Sequence, residues 1–182
     1  MDMIFYVEYN CLDETKHPAW SKILLLQKML ELNYEYVFYI DADACFVNHD
    51  IKIENFINDK PITIANENKN FNEPRGENSG VMLFNVCDIS RQFLIDCWNI
   101  YEECKYSCVW DQEAIGKMLD GKYKSYHLKL TCKQFNAYYG DFAVYLNRPY
   151  CLYEEGDFII HMLRTSSEYK IDKFNEIMNK LN

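Results

Sequence analysis

The chain has 182 residues, 49% hydrophobic and 16% aromatic, enough for one domain with a sizeable core and too apolar for a disordered segment. A formal net charge of -9 excludes the basic footprint that non-specific binding to nucleic acid or an anionic membrane needs. No apolar run approaches the about 20 residues of a membrane span, and MDMIFYVEYN meets Glu8 too early for a signal peptide, so a cytoplasmic protein is expected.

The eight cysteines are irregularly spaced, and the chain is too long for a disulfide-stapled mini-domain. Cys104 and Cys108 are spaced to share a helix face, but no second Cys or His pair stands at zinc spacing. Reduced thiols, mostly in the core, are expected.

With no internal repeat, low-complexity tract or Pro/Gly linker, residues 1–182 read as a single domain. Met3 to Tyr9 reads as a first strand. Pro18 to Leu32 (PAWSKILLLQKMLEL) has Pro at its start and many helix formers, so it reads as a helix. Tyr36 to Ile40 (YVFYI), apolar on both faces, predicts a central strand covered on two sides. PITIA at 61–65 and VMLFN at 81–85 predict short strands. Asp88 to Cys104 predicts an amphipathic helix with Ile89, Phe93, Trp98 and Tyr101 on one face. Asp111 to Leu119 predicts another helix and Asp157 to His161 (DFIIH) a late strand. Ser166 to Leu181 predicts a terminal helix capped by Ser166 or Ser167. Strands alternating with helices define an α/β domain with a mainly parallel central sheet, whose ligand sits beyond the carboxyl ends of the strands.

Asp41 and Asp43 stand at such an end, in YVFYIDADACFVN, and His161 stands at another. A carboxylate there is costly unless something offsets its charge. An Asp-x-Asp pair turns both side chains toward one loop mouth and can hold one hard divalent cation; adding an imidazole favours Mn²⁺ over Ca²⁺. A lone Asp at a strand end ordinarily just caps a turn. In ENSGVMLFN, the triplet Asn78, Ser79 and Gly80 leads into an apolar strand and by itself reads as a tight turn. Asp111 and Gln112, in WDQEA, suit a pair of sugar hydroxyls and equally suit a helix N-terminus.

The order of these pieces carries more than any one of them. Trp20-Ser21-Lys22, then YVFYIDADACFVN, NSGVMLFN, DQEA, QFNAYY and the strand ending in His161 resemble the GT-A nucleotide-sugar glycosyltransferases over about Tyr9 to Lys170. The likeness is greatest to the metal-dependent retaining branch of glycogenin-like enzymes, fungal galactosyl- and mannosyltransferases and plant xyloglucan xylosyltransferases. The resemblance implies Mn²⁺ (or Mg²⁺) on Asp41, Asp43 and His161. It implies transfer of a hexose or pentose from a UDP- or GDP-sugar to a hydroxyl of a glycan. Lys22 would approach the donor, Asn78, Ser79 and Gly80 would line the donor-sugar pocket, and Asn136 would contact donor or acceptor. Asp111 and Gln112 would lie near the anomeric carbon. Glycogenin-like enzymes follow the metal His with a Gly and a Lys at short spacing. In HMLRTSSEYK, Arg164 stands in place of that Gly and Lys170 comes late, which makes both candidates for the phosphates. Met1 to Tyr9 resembles the family's second strand, so the strand and helix that build its base pocket are expected to be absent.

Two alternatives follow from other features. A non-catalytic sugar-nucleotide-binding remnant fits the shortened front. A haloacid-dehalogenase-type phosphohydrolase also uses a strand-end Asp-x-Asp, but Cys45 stands where its Thr or Val belongs, and Asp157 precedes its strand.

Overall fold

A computed structural model describes residues 4–74, 76–140, 147–163 and 166–181. A 3-10 turn at Pro18–Trp20 runs into α1 (Ser21–Leu30), followed by β1 (Tyr36–Ile40), β2 (Ala44–Phe46), β3 (Ile62–Asn66) and β4 (Glu77–Asn85). Then come α2 (Asp88–Asn99), the short α3 (Tyr101–Cys104), α4 (Asp111–Asp120), β5 (His127–Thr131) and α5 (Cys132–Phe135). The chain finishes with β6 (Ala137–Tyr138), β7 (Ile159–His161) and α6 (Ser167–Leu181). Ser166 caps α6 by accepting from the Tyr169 N–H at 3.2 Å.

The strands form a four-stranded sheet ordered β1-β4-β3-β5 and a three-stranded sheet ordered β2-β7-β6. In the larger sheet β1, β3 and β5 run the same way, as expected. Between β1 and β3 lies β4, antiparallel to both, so the pairing is mixed rather than mainly parallel.

Period-two alternation divides the core. Ile62 and Ile64 of β3 and Met82 and Phe84 of β4 face a helical layer of Trp20, Ile23, Leu26, Phe93, Leu94, Ile115 and Leu119. Val81 and Leu83 point the other way, onto Phe135, Phe158 and Ile159 of the smaller sheet and its neighbours. The larger sheet is therefore a filling between helices and a second sheet, and its innermost strands β3 and β4 are almost wholly buried.

Several expectations need correction. Residues 4–9 form no strand: Phe5 is 79% and Tyr9 88% exposed, and strand propensity without a partner ladder does not make a strand. YVFYI is an outer strand of the sheet and only half-buried along its length. Asn78, Ser79 and Gly80 belong to β4, which begins four residues earlier than VMLFN suggests. The helix expected over 88–104 stops at Asn99, and α3 then turns Tyr101 edge-on to Trp20, ring centroids 4.9 Å apart. HLKLT at 127–131 is a strand that its interrupting lysine concealed.

All eight cysteines are free thiols, four of them (Cys97, Cys104, Cys132 and Cys151) buried. Phe135 and Tyr138 are core residues. Among the described residues, no helix is long and apolar enough to cross a membrane.

Candidate active site

The site forms where β1 and β7 end and β4 begins, against α1 and α4. The Asp41 N–H donates to the Gly80 carbonyl at 2.8 Å, continuing the β1–β4 ladder, and a turn closed by Ala44 N–H to the Asp41 carbonyl at 3.0 Å carries Asp43 into β2. Antiparallel pairing of β2 with β7 sets Ala44 opposite His161, and the Met162 N–H donates to the Asp43 carbonyl at 2.8 Å. Register therefore brings the imidazole to the two carboxylates.

Asp41, Asp43 and His161 each offer one ligand atom, all within 4.8 Å of one another. His161 Nε2 lies 3.0 Å from Asp43 Oδ1 and 3.9 Å from Asp41 Oδ2. Two carboxylate oxygens and an imidazole nitrogen fit a divalent ion of the Mn²⁺ or Mg²⁺ kind, and the side chains of Asp41 and Asp43 remain about a quarter exposed toward a cleft. Asp43 also pairs with Lys170 at 2.6 Å. Burial would raise its carboxyl, but the hydrogen bonds and positive charge that face it, the Lys170 ammonium included, outweigh that and hold it well below the usual carboxylate range.

A second knot of charge lies beside the first. Lys22, in the opening turn of α1, has its ammonium 3.1 Å from Asp41 Oδ1 and 3.2 Å from Asp111 Oδ2, and donates to the Ser79 carbonyl and hydroxyl at 3.1 Å. A cation at a helix N-terminus opposes the helix dipole, so these acids are what hold it there. Burial works against its charge, but Asp111 and Asp41 overcome it and keep Lys22 above the ordinary lysine range. Asp111, 3% exposed, accepts from the Ser79 hydroxyl at 2.9 Å, and burial pushes its carboxyl up despite Lys22. It is the first residue of α4 but does not cap it. The cap is Trp110, held at φ 46 and stacked on His17 with ring centroids 4.2 Å apart. Gln112 Oε1 accepts from the Ser79 N–H at 3.3 Å, which secures the start of β4.

A cleft of about 950 Å³ joins these groups, lined among others by Lys22, Asp41, Asp43, Ser79, Asp111, Gln112, His161 and Lys170. Asn78 lines it too, but Asn136 and Gly80 do not. Asn136 is fully buried, with its amide between Asn78 and His161. At Gly80 a Cβ would stand 2.7 Å from His161 Nδ1, so the close approach this glycine allows is that of the imidazole. Arg164 lies outside the described residues.

Sequence reasoning missed Tyr39 and the pair Glu67 and Arg148. The Tyr39 hydroxyl donates to Asp41 Oδ1 at 2.6 Å. Glu67 pairs with Arg148, accepts from the Tyr138 hydroxyl, and is 6% exposed. A signal for Glu67 existed: like Asp41, it is a carboxylate just past the end of an apolar strand.

The central sheet flanked by helices is the GT-A fold, which it shares with the glycosyltransferase structures below. No family model matches the chain, and neither does any curated protein. Solved structures do match. One is a glycosyltransferase involved in the glycosylation of the major capsid of PBCV-1, at TM-score 0.67 and 13% identity, covering 93% of this chain and 81% of that one. Another is the galactosyltransferase LgtC in complex with donor and acceptor sugar analogues, at TM-score 0.53 and 16% identity, covering 89% and 68%. A third is the glycosyltransferase GlyE of Streptococcus pneumoniae, at TM-score 0.52 and 18% identity, covering 88% of this chain and 45% of that one. A GT-A fold is not that of the haloacid-dehalogenase-type phosphohydrolases, so that alternative falls.

Proposed function

We propose that the protein is a glycosyltransferase that moves a sugar from a UDP- or GDP-sugar to a hydroxyl of a glycan, with retention of configuration. The observation that carries this reading is the convergence of Asp41, Asp43 and His161 at one end of a cleft whose wall also presents Lys22, Ser79, Asp111 and Gln112. Asp41, Asp43 and His161 would hold Mn²⁺ or Mg²⁺, which when bound supplies Lewis-acid stabilisation of a departing diphosphate.

The chain's own residues do the rest. Lys170, paired with Asp43, is the nearest cation to the metal ligands among the described residues and would exchange that partner for a phosphate oxygen. Lys22 keeps its charge in a buried setting and offsets Asp41 and Asp111, so that an anionic donor does not meet three uncompensated carboxylates. Asp111 and Gln112 bracket Ser79 and would lie beneath the anomeric carbon. There the Gln112 amide would stabilise charge as it develops.

The test is incubation with Mn²⁺ and a panel of nucleotide sugars. Slow release of free nucleoside diphosphate is expected even without the acceptor. No release from any sugar, with no metal-stimulated donor binding by calorimetry, would overturn the reading.

A further inference from the structure

We propose that Glu67, Asn78 and Asn136 form a relay that places the proton of the neutral His161 imidazole on Nδ1 and leaves the Nε2 lone pair facing Asp41 and Asp43. The three are then positioning residues rather than sugar contacts. The purpose of the relay rests on the metal-site reading above. Its geometry does not.

The relay can be followed from groups whose hydrogen-bonding sense is fixed. The Gly80 N–H is a backbone donor, and it donates to Asn78 at 2.9 Å, which makes the accepting atom Oδ1. At the other end of the same amide, Nδ2 donates to Glu67 Oε1 at 2.8 Å. Asn78 is thus oriented twice over, by a donor on one side and an acceptor on the other. Its oxygen also receives Asn136 Nδ2 at 2.7 Å. That choice turns Asn136 Oδ1 toward His161 Nδ1, 3.0 Å away. An amide oxygen cannot donate, so the imidazole must. A lone pair on Nδ1 would leave two acceptors facing each other at a fully buried position, where an unmade hydrogen bond is costly.

The chain is held at its far end. Glu67 is clamped by Arg148 and by the Tyr138 hydroxyl, and its carbonyl accepts from the Tyr150 hydroxyl at 2.8 Å. Asn136 is held by its own backbone, whose N–H donates to the Cys132 carbonyl at 2.6 Å. None of the four side chains can turn freely: Glu67 is 6%, Asn78 3%, Asn136 0% and His161 2% exposed. With Nδ1–H committed to Asn136, Nε2 points at Asp43 Oδ1, 3.0 Å away. A lone pair and a carboxylate at that distance repel unless a proton or a cation lies between them. The relay thus prepares the nitrogen for a cation, the role that outer hydrogen bonds commonly play for histidine ligands.

The experiment is long-range ¹H–¹⁵N NMR of the ¹⁵N-histidine-labelled, metal-free full chain, about two pH units above the ordinary imidazole value of ~6.5. His161→Gln assigns the His161 signals by their loss. Wild type is expected to show Nδ1–H; a neutral Nε2–H form in wild type overturns the relay. In Asn136→Ala the tautomer is expected to shift toward Nε2–H, and calorimetric Mn²⁺ affinity to drop roughly 10- to 100-fold. An unchanged tautomer in a folded Asn136→Ala protein also overturns it. Asn136→Ser, smaller but polar, serves if the alanine variant does not fold. Nδ1–H without any sugar transfer would strike only the proposed function, whereas Nε2–H with intact transfer would strike only the relay.

Discussion

His161 Nε2 stands 3.0 Å from Asp43 Oδ1, although 118 residues separate the two in sequence. One ladder of backbone hydrogen bonds between β2 and β7 joins them. Asp43→Asn keeps the shape and removes the charge that opposes a cation. Mn²⁺ affinity, and with it metal-stimulated donor binding, is expected to fall by at least roughly tenfold. Calorimetric titration of UDP- and GDP-sugars with and without Mn²⁺ checks this. Equal, metal-independent affinity in both proteins would count against a metal at this site.

Gly80→Ala probes the same imidazole from behind. The added methyl would lie 2.7 Å from His161 Nδ1 and 3.0 Å from Asn78 Oδ1, in a place already filled. A loss of about 1–3 kcal/mol in stability is expected. Metal affinity should drop with it, because the ring must move. Chemical denaturation together with Mn²⁺ titration measures both, and a silent substitution would show that the ring has room to give.

Lys22→Met removes the cation between Asp41 and Asp111 while keeping most of the side-chain volume. Asp111 would then be a buried carboxylate without its counterion, and breaking such a pair typically costs about 3–5 kcal/mol. Urea unfolding reads the loss. A difference below about 1 kcal/mol would mean that water or a rearranged partner solvates Asp111.

Gln112→Ala distinguishes chemistry from architecture. If the amide meets charge that develops in the transition state, kcat should fall roughly a hundredfold, about 3 kcal/mol, with donor affinity nearly unchanged. Among the described residues its side chain takes one hydrogen bond, the 3.3 Å bond from the Ser79 N–H, so the stability cost should stay near about 1 kcal/mol. A lowered melting temperature with normal kcat would make Gln112 a brace for β4.

Asp96 lies away from the cleft and gives a pH prediction. Its carboxylate accepts from Lys122 at 2.6 Å, the Tyr123 hydroxyl at 2.6 Å and Gln92 at 2.9 Å, fastening α2 to the turn after α4. Burial alone would raise this carboxyl, but those donors outweigh it and bring it below its ordinary value. A lowered folded value gives stability that is present above the unfolded value of ~3.9 and is lost as pH falls through the folded one. Asp96→Asn is therefore expected to cost about 1–2 kcal/mol near pH 7 and progressively less below pH ~4. Parallel thermal melts across that range test it, and a gap that widens in acid would reverse the sign.

Much of the site could be read from residue order. Asp41, Asp43 and His161 each end a strongly apolar run, and a charged or polar group there demands a partner whatever the fold. Lys22 came only with the family resemblance, and the Asp111–Gln112 pair was undecided without it, because a lysine or a first-turn acid on a helix is unremarkable by itself. Asn78, Ser79 and Gly80 read as a turn because three small polar residues do not look like a buried strand. They lie in β4 because Glu67, Asn136, Lys22, Asp111 and Gln112 satisfy their polar atoms from distant parts of the chain.

Ile4 to Tyr9 failed in the opposite sense. The residue types suit a strand, yet a strand also needs a neighbour, and over 4–9 none pairs with it. YVFYI erred less: two-sided apolarity correctly predicted a strand, but α1 and the second sheet supply its cover while it stays at the edge. The sequence by itself determined which side chains would need compensation, since desolvation acts on each residue type wherever it is buried. Only the tertiary structure decided which partner compensates which. That choice depends on strand register and helix docking between segments up to 127 residues apart, and local propensity carries no information about either.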